Sequence, residues 1–303
     1  MRIFLTGATG FIGSAIIPEL VGTGHQVLGL ARSDAGARTL LAAGAEVHHG
    51  SLEDLKSLSS GAAAADAVIH CAFDHDFSNF AENCEKDRRA IMALGSALVG
   101  SAGPLVITSS TGMGTAEAGK PATEDHFDTA HPTPRRASEE AGNALLEKGV
   151  NVSVVRLPQV HDPVRQGLIT PLVELSRAKG QVAYVGDGAN RWPAAHVVDV
   201  ARLYRLALER AVKGARYNAV AEEGVTTRSI TEALGKGLKM PVVSMTGDAV
   251  LSHFGWMAIF AAMDMPASST LTRQTLDWQP TGPNLLADLE AMNYNRPGAP
   301  RTT

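Results

Sequence analysis

The sequence predicts an α/β fold: a doubly wound parallel sheet with helices on both faces and a smaller, discontinuous C-terminal lobe. Three observations carry this. Short β-branched runs alternate with helix-length amphipathic segments through the first half, a glycine-rich turn joins the first run to the first helix, and the alternation loosens after Arg156.

The runs "RIFLT", "QVLGLA", "AEVHH", "DAVIHCA", "PLVITSS" and "NVSVVRL" read as strands, each followed by a helical segment. In "SNFAENCEKDRRAIMALGSALVGS", Phe80, Cys84, Ile91, Leu94 and Leu98 share one face, with Ser78 as the expected N-cap. "HVVDVARLYRLALERA" reads as an amphipathic helix and "RYNAV" as a further strand. This organisation places residues 1–162 plus 196–220 in a cofactor domain and 163–195 plus 221–303 in a substrate lobe, with the Pro- and Gly-rich end "NRPGAPRTT" as a mobile tail.

Composition narrows the function. The chain has 303 residues, 45% apolar and 19% charged, which suits a folded protein with a large core. A net charge of −4 gives no electrostatic footprint for nucleic acid. Cys71, in a buried-looking strand, and Cys84, in a helix, are too few for a disulfide framework or a metal site, so no metal is expected and a reducing compartment fits. The first strand follows Met1 at once, and the most apolar later run, "WMAIFAAM", is shorter than the ~20 residues a membrane span needs. The expectation is a cytoplasmic protein with no membrane or nucleic-acid partner, acting on a small molecule, with a homo-oligomer possible.

In "FLTGATGFIGSAII", Gly7, Gly10 and Gly13 stand between a strand and a helix. Glycines there let backbone N–H groups approach a pyrophosphate, whose charge the helix N-terminus favours. Thr9, Phe11 and Ile12 complete the turn. An acidic residue at the end of the second strand would bind the ribose 2′-hydroxyl of NAD, but Ala31 stands there, followed by Arg32 and Ser33, a cation and a hydroxyl suited to a 2′-phosphate. NADP(H) is therefore favoured over NAD(H), with Asp34 nearby as the opposing feature.

The form "TGATGFIG" resembles the extended and atypical short-chain dehydrogenase/reductases, and the resemblance covers most of the chain. It implies a Rossmann core, a nicotinamide cofactor and a C-terminal substrate lobe. "HHGSLEDLKSL" resembles the family's segment beside the adenine, with Ser51 in place of its aspartate and Leu52 retained. Cys71, Ala72 and Phe73 fall where the family runs its backbone along the nicotinamide. "VVRLPQVHDP" resembles the turn after the sixth strand, which places Pro158, Gln159 and Val160 on the nicotinamide side and His161 where a tyrosine is common. "YVGDGANRWPAAHVVDVARLY" resembles a segment of the extended enzymes. There His196 is expected to close a turn and Asp199 to cap a helix, with Arg191 and Trp192 either lining the pocket or, for Trp192, in the core.

The resemblance also implies an active-site hydroxyl after the fifth strand and a Tyr-x-x-x-Lys pair on the next helix. Thr108, Ser109, Ser110 and Thr111 supply the hydroxyls, with the register open by one residue. The pair is absent: Arg135 falls at the tyrosine and Glu139 at the lysine, and none of the four tyrosines has a lysine four residues on. Two readings of this helix stand. Glu139 and Glu140 complement the helix dipole while Arg135 and Arg136 are solvated or pair along it, or Arg135 points into the site as an anchor for an anion or an oxyanion. Arginine is too strong a base to donate the proton. His75, His161 or water remain as donors, while His70 reads as a packed histidine. The segment "AVLSHFGWMAIFAAMDMPASS" concentrates Phe254, Trp256, Met257, Phe260, Met263 and Met265 as lobe core, ligand wall or dimer face.

These features predict an NADP(H)-dependent oxidoreductase reducing a carbonyl or related C=X bond of a small to medium, apolar substrate. Two alternatives stand beside it: a non-catalytic NADP(H)-binding sensor, which the missing pair permits, and a nucleotide-sugar epimerase or dehydratase, against which the loss of an activated base argues.

Overall fold

A computed structural model describes residues 1–295, so the expected tail beyond Asn295 lies outside the described residues. Seven parallel strands form the central sheet in the order β10-β6-β5-β4-β1-β2-β3: β1 (Arg2–Thr6), β2 (Gln26–Ala31), β3 (Glu46–His49), β4 (Ala67–His70), β5 (Pro104–Ser110), β6 (Asn151–Leu157) and β10 (Arg216–Asn218). The order reverses beside β1. An open parallel sheet binds its ligands at the carboxyl edge of such a switch point.

Strand alternation divides the core in two. Ile3, Leu5, Val106 and Val155 face α1 (Phe11–Gly22) and α7 (Val197–Arg210), whereas Phe4, Val68, Leu105 and Ile107 face α3 (Leu55–Ala63), α4 (Phe80–Ser96) and α5 (Arg136–Glu147). The edge is covered by α2 (Asp34–Ala42), whose first turn is capped by the Ser33 hydroxyl accepting from Gly36 N–H.

Two smaller sheets build the remainder. β7 (Gln159–His161) pairs with β9 (Arg191–His196), which pairs with β11 (Glu222–Thr226), and β8 (Val182–Val185) pairs with β12 (Val242–Met245). They share a third core with α6 (Ile169–Lys179), α8 (Thr227–Leu238), α9 (Asp248–Phe254), α10 (Ala258–Ala262) and α12 (Leu285–Ala291). After α11 (Thr270–Leu276) the chain returns to the first core, where Trp278 is fully buried and donates to the Asp199 carbonyl.

Three local expectations are corrected. Asp76, not Ser78, opens the helical segment before α4, because its carboxylate accepts from Ser78 N–H and Ser78 Oγ. His196 is the residue that caps α7, accepting from Val198 N–H. Asp199 instead accepts from the N–H groups of Thr281 and Gly282, fastening the C-terminal segment to that helix.

Candidate active site

The nucleotide turn is shaped by close backbone approach. Gly7 has a left-handed φ of 69°, and a Cβ there would lie 2.7 Å from Ala72 N. At Gly13 a Cβ would lie 2.1 Å from the Gly7 carbonyl, so only glycine lets α1 begin this close to β1. α1 has neither a capping side chain nor an acidic residue in its first turn, which leaves its first N–H groups available to an anion. The residues fit a dinucleotide pyrophosphate. Gly13→Ala is expected to abolish nucleotide binding while leaving a folded chain, which calorimetric titration beside a circular dichroism melt would check.

Below the carboxyl edge lies a buried polar chain. Thr6 Oγ1 is 2.7 Å from His70 Nδ1, and His70 Nε2 is 3.0 Å from Asp87 Oδ1. With Asp87 accepting at Nε2–H and Nδ1 accepting from the Thr6 hydroxyl, both ring nitrogens of His70 are satisfied. Asp87 Oδ2 receives Arg135 Nη1 at 2.7 Å, and Arg135 Nη2 donates to the Thr108 carbonyl at 2.9 Å. Thr108 Oγ1 donates to the His70 carbonyl and meets the Tyr204 hydroxyl at 2.6 Å, so this threonine serves the framework rather than a cofactor. Burial alone would raise the Asp87 carboxyl, but Arg135 and the His70 hydrogen bond outweigh it and hold the pKa at about 2. A carboxylate so depressed stabilises the fold above its unfolded value near pH 4. That contribution is lost as pH falls toward 2. Acid unfolding of the wild type in that window, shifted or flattened in Asp87→Asn, is the expected result.

Residues 3–220 match the NAD dependent epimerase/dehydratase family. The chain belongs to this family. An uncharacterized protein of Schizosaccharomyces pombe is 43% identical over 295 residues, covering 97% of this chain and 100% of that one. A 4-hydroxy-2-methyl-3-oxo-4-farnesyl-3,4-dihydroquinoline-1-oxide ketoreductase of Stigmatella aurantiaca is 27% identical over 88% of this chain and 84% of its own. Among solved structures, the dTDP-glucose 4,6-dehydratase DesIV of Streptomyces venezuelae with NAD bound superposes with a TM-score of 0.76 at 19% identity, covering 96% of this chain and 95% of that one. This last likeness shows the fold.

In this epimerase/dehydratase-family chain the catalytic-pair positions are built into the framework. Glu139 is fully buried, its oxygens 2.8 Å from Arg156 Nε and 2.8 Å from Arg216 Nε, so it is a structural anion and not a complement to the helix dipole. Glu140 pairs with Arg136 and Arg88. Arg135 is not solvated and makes no ion pair along its own helix; it reaches across to Asp87 while also donating to Ser138, and its guanidinium lies 4.2 Å over the Phe73 ring. His70 is the packed, satisfied histidine expected.

Burial resolves the hydroxyl cluster. Ser109 and Thr111 are buried, whereas Ser110, at the end of β5, is half-buried. His161 is withdrawn from any substrate: it is fully buried with Nδ1 2.7 Å from Asp288 Oδ2, because β7 turns into the second sheet. The same turn buries Val160 in the core and commits Gln159 to the Leu168 N–H, so neither side chain faces a nicotinamide; Pro158 stays half-buried. His75 is exposed, yet its ring packs 5.3 Å from Phe73, and this apolar crowding together with the Arg135 charge holds its pKa below the usual histidine range. It is neutral at neutral pH and a weak acid there. Cys71, whose thiol burial pushes up to about 12, donates to the Thr6 carbonyl.

At the adenine end, Ser51 accepts from Glu53 N–H and Leu52 packs against the core. Arg32 is exposed at the end of β2, and a Cβ at Gly36 would touch Thr9, so Thr9, Arg32 and the Ser33 cap surround one corner of the turn. The aromatic lobe segment divides: Phe254 and Met257 are core, Trp192 is buried and donates to the Phe260 carbonyl, and Trp256 stacks on Phe77 at 4.6 Å. Arg191 pairs with Asp264. Among the described residues no cluster of three or more His, Cys, Asp or Glu could hold a metal, and no helix is long and apolar enough to cross a membrane.

Sequence reasoning missed Asp87. Its signal was present, since Asp87 falls at helical spacing between Cys84 and Ile91, inside the stripe read as apolar.

Proposed function

We propose that the protein is an NADP(H)-dependent oxidoreductase that reduces the carbonyl, or a related C=X bond, of a small to medium apolar molecule. One observation carries this reading: the uncapped glycine turn, the half-buried Ser110 and the largely buried Arg135 stand on one carboxyl edge, with half-buried aromatic side chains beside them. The name of the Stigmatella relative, a ketoreductase, supports the reaction class.

When bound, the reduced nicotinamide would supply a hydride to the substrate carbon. The turn of Gly7, Gly10 and Gly13 would hold the pyrophosphate, Arg32 with Ser33 and Thr9 the 2′-phosphate, and the backbone of Cys71 to Phe73 would flank the nicotinamide. Ser110 and Arg135 orient the reacting oxygen and take up its developing charge, while the aromatic side chains exclude water from one side. Proton delivery falls to water, because Arg135 holds its proton, His161 is buried and His75 is neutral.

The test is NADPH oxidation, followed by absorbance, across a broad carbonyl panel. Turnover of apolar members supports the reading. Tight NADPH binding without turnover of any member would contradict it and favour the sensor, which the commitment of Arg135 and Glu139 to the framework also suits.

A further inference from the structure

Arg135 carries five N–H donors in one plane. Nη1 uses its two on Asp87 and Ser138, and Nη2 uses one on the Thr108 carbonyl. The Nε–H and the second Nη2–H have no partner among the described residues. These two belong to adjacent nitrogens of a planar fork, the arrangement that grips an oxygen with charge-assisted bonds. The guanidinium is held on one side by Asp87 and on a face by Phe73, so it is preorganised before anything binds.

Next to that fork runs an aromatic wall. From Phe73 it passes to Phe80 at 6.3 Å, to Phe77 at 5.6 Å and to Trp256, stacked at 4.6 Å with an interplanar angle of 8°. It joins the loop after β4 to the lobe and offers ring faces and edges to a flat ligand.

The charge balance narrows the ligand further. Arg135 is already paired with Asp87, so a neutral carbonyl finds two donors in a site with no net charge to compensate. The guanidinium cannot release a proton at neutral pH, so it holds an oxygen that gains charge here without itself protonating it. A saturated ketone would become an alkoxide, a much stronger base than water's hydroxide can leave standing. An oxygen conjugated to a double bond or ring becomes an enolate or phenolate instead, a far weaker base than an alkoxide, as the phenol of tyrosine, with a pKa of about 10, illustrates, and so one that donors can hold as an anion.

Resting on the function proposed above, we infer that this site selects neutral, planar, conjugated carbonyl compounds and holds their reduced form as an oxyanion on the open edge of Arg135. Hydride adds to the carbon distal to the carbonyl, the C=C pair moves between the carbonyl carbon and its neighbour, and the C=O pair passes to oxygen. Water later protonates the neighbouring carbon, giving the saturated carbonyl compound, and the nicotinamide leaves oxidised as NADP⁺.

The test uses 4-nitrophenol, whose phenolate is coloured, titrated with full-length protein at a pH where the free phenol is mostly neutral. Binding should raise the ionised fraction. Arg135→Lys keeps a cation against Asp87 but loses the fork, and should weaken phenolate binding about tenfold or more. Trp256→Ala, exposed and outside the framework, should weaken affinity while leaving the bound phenol ionised. A bound phenol that stays neutral would overturn the inference. A second arm compares cyclohexenone with cyclohexanone as NADPH oxidants. Consumption of the enone alone supports the inference, and equal or preferred consumption of the saturated ketone overturns it while the carbonyl-reductase reading stands. If neither is consumed, that reading loses its support, and the phenol titration still decides whether the oxyanion site exists.

Discussion

Restoring the family's catalytic pair by Arg135→Tyr with Glu139→Lys is expected to unfold this protein rather than to activate it. Glu139 has no exposed surface, and neither has the Arg156 it faces; Arg156 also holds the carbonyls of Thr123 and His126, anchoring the loop before α5. A lysine there would set a third cation beside Arg156 and Arg216. Replacing Arg135 would at the same time strip Asp87, 1% exposed, of its main counter-charge. Breaking one buried pair by removing a partner costs roughly 3–5 kcal/mol, and two such losses approach the whole stability of a typical domain, about 5–15 kcal/mol. Chemical denaturation should show each single variant strongly destabilised and the double variant unfolded. Glu140→Gln, on the same helix between the partly exposed Arg136 and Arg88, should cost only about 1 kcal/mol. A double variant as stable as the wild type would mean that the ion pairs carry no such burden.

The second large effect concerns Ser110, the hydroxyl proposed to meet the substrate. On any carbonyl compound the protein turns over, Ser110→Ala should lower kcat by about 10²–10³, the usual loss when one donor to a developing oxyanion is removed. Ser109→Ala should leave kcat near the wild-type value and stability unchanged or slightly improved, since the Ser109 Oγ is buried without a hydrogen-bond partner. Steady-state kinetics on the pair of variants checks both. The reverse pattern would place the active hydroxyl one residue earlier in β5.

Much of the fold was legible because strand and helix periodicity is a local property. "RIFLT", "QVLGLA", "PLVITSS" and "NVSVVRL" form strands over their full quoted lengths, and the glycine turn carries its own geometric reason in the approach of Gly7 to Ala72. The site was less legible because its decisive contacts join distant segments. Asp87 lies 48 residues from Arg135, and nothing in the local pattern of "TPRRASEE" shows that Arg135 reaches a neighbouring helix while Glu139 turns to β6 and β10. His161 looked available because its segment resembles a nicotinamide-side turn. Pairing of β7 with β9 then carried it, with Gln159 and Val160, into a core that no single-segment reading could reveal.

The central claim is that the glycine turn and Arg32 together form a site for a phosphorylated nicotinamide dinucleotide. Calorimetric titration of the wild type and of Arg32→Ala with NADPH and with NADH tests it most directly. The account predicts tighter binding of NADPH by the wild type, with the substitution lowering NADPH affinity roughly tenfold or more and leaving NADH nearly unchanged. Equal binding of both dinucleotides, unaffected by the substitution, would contradict the 2′-phosphate assignment, and binding of neither would contradict the nucleotide site itself.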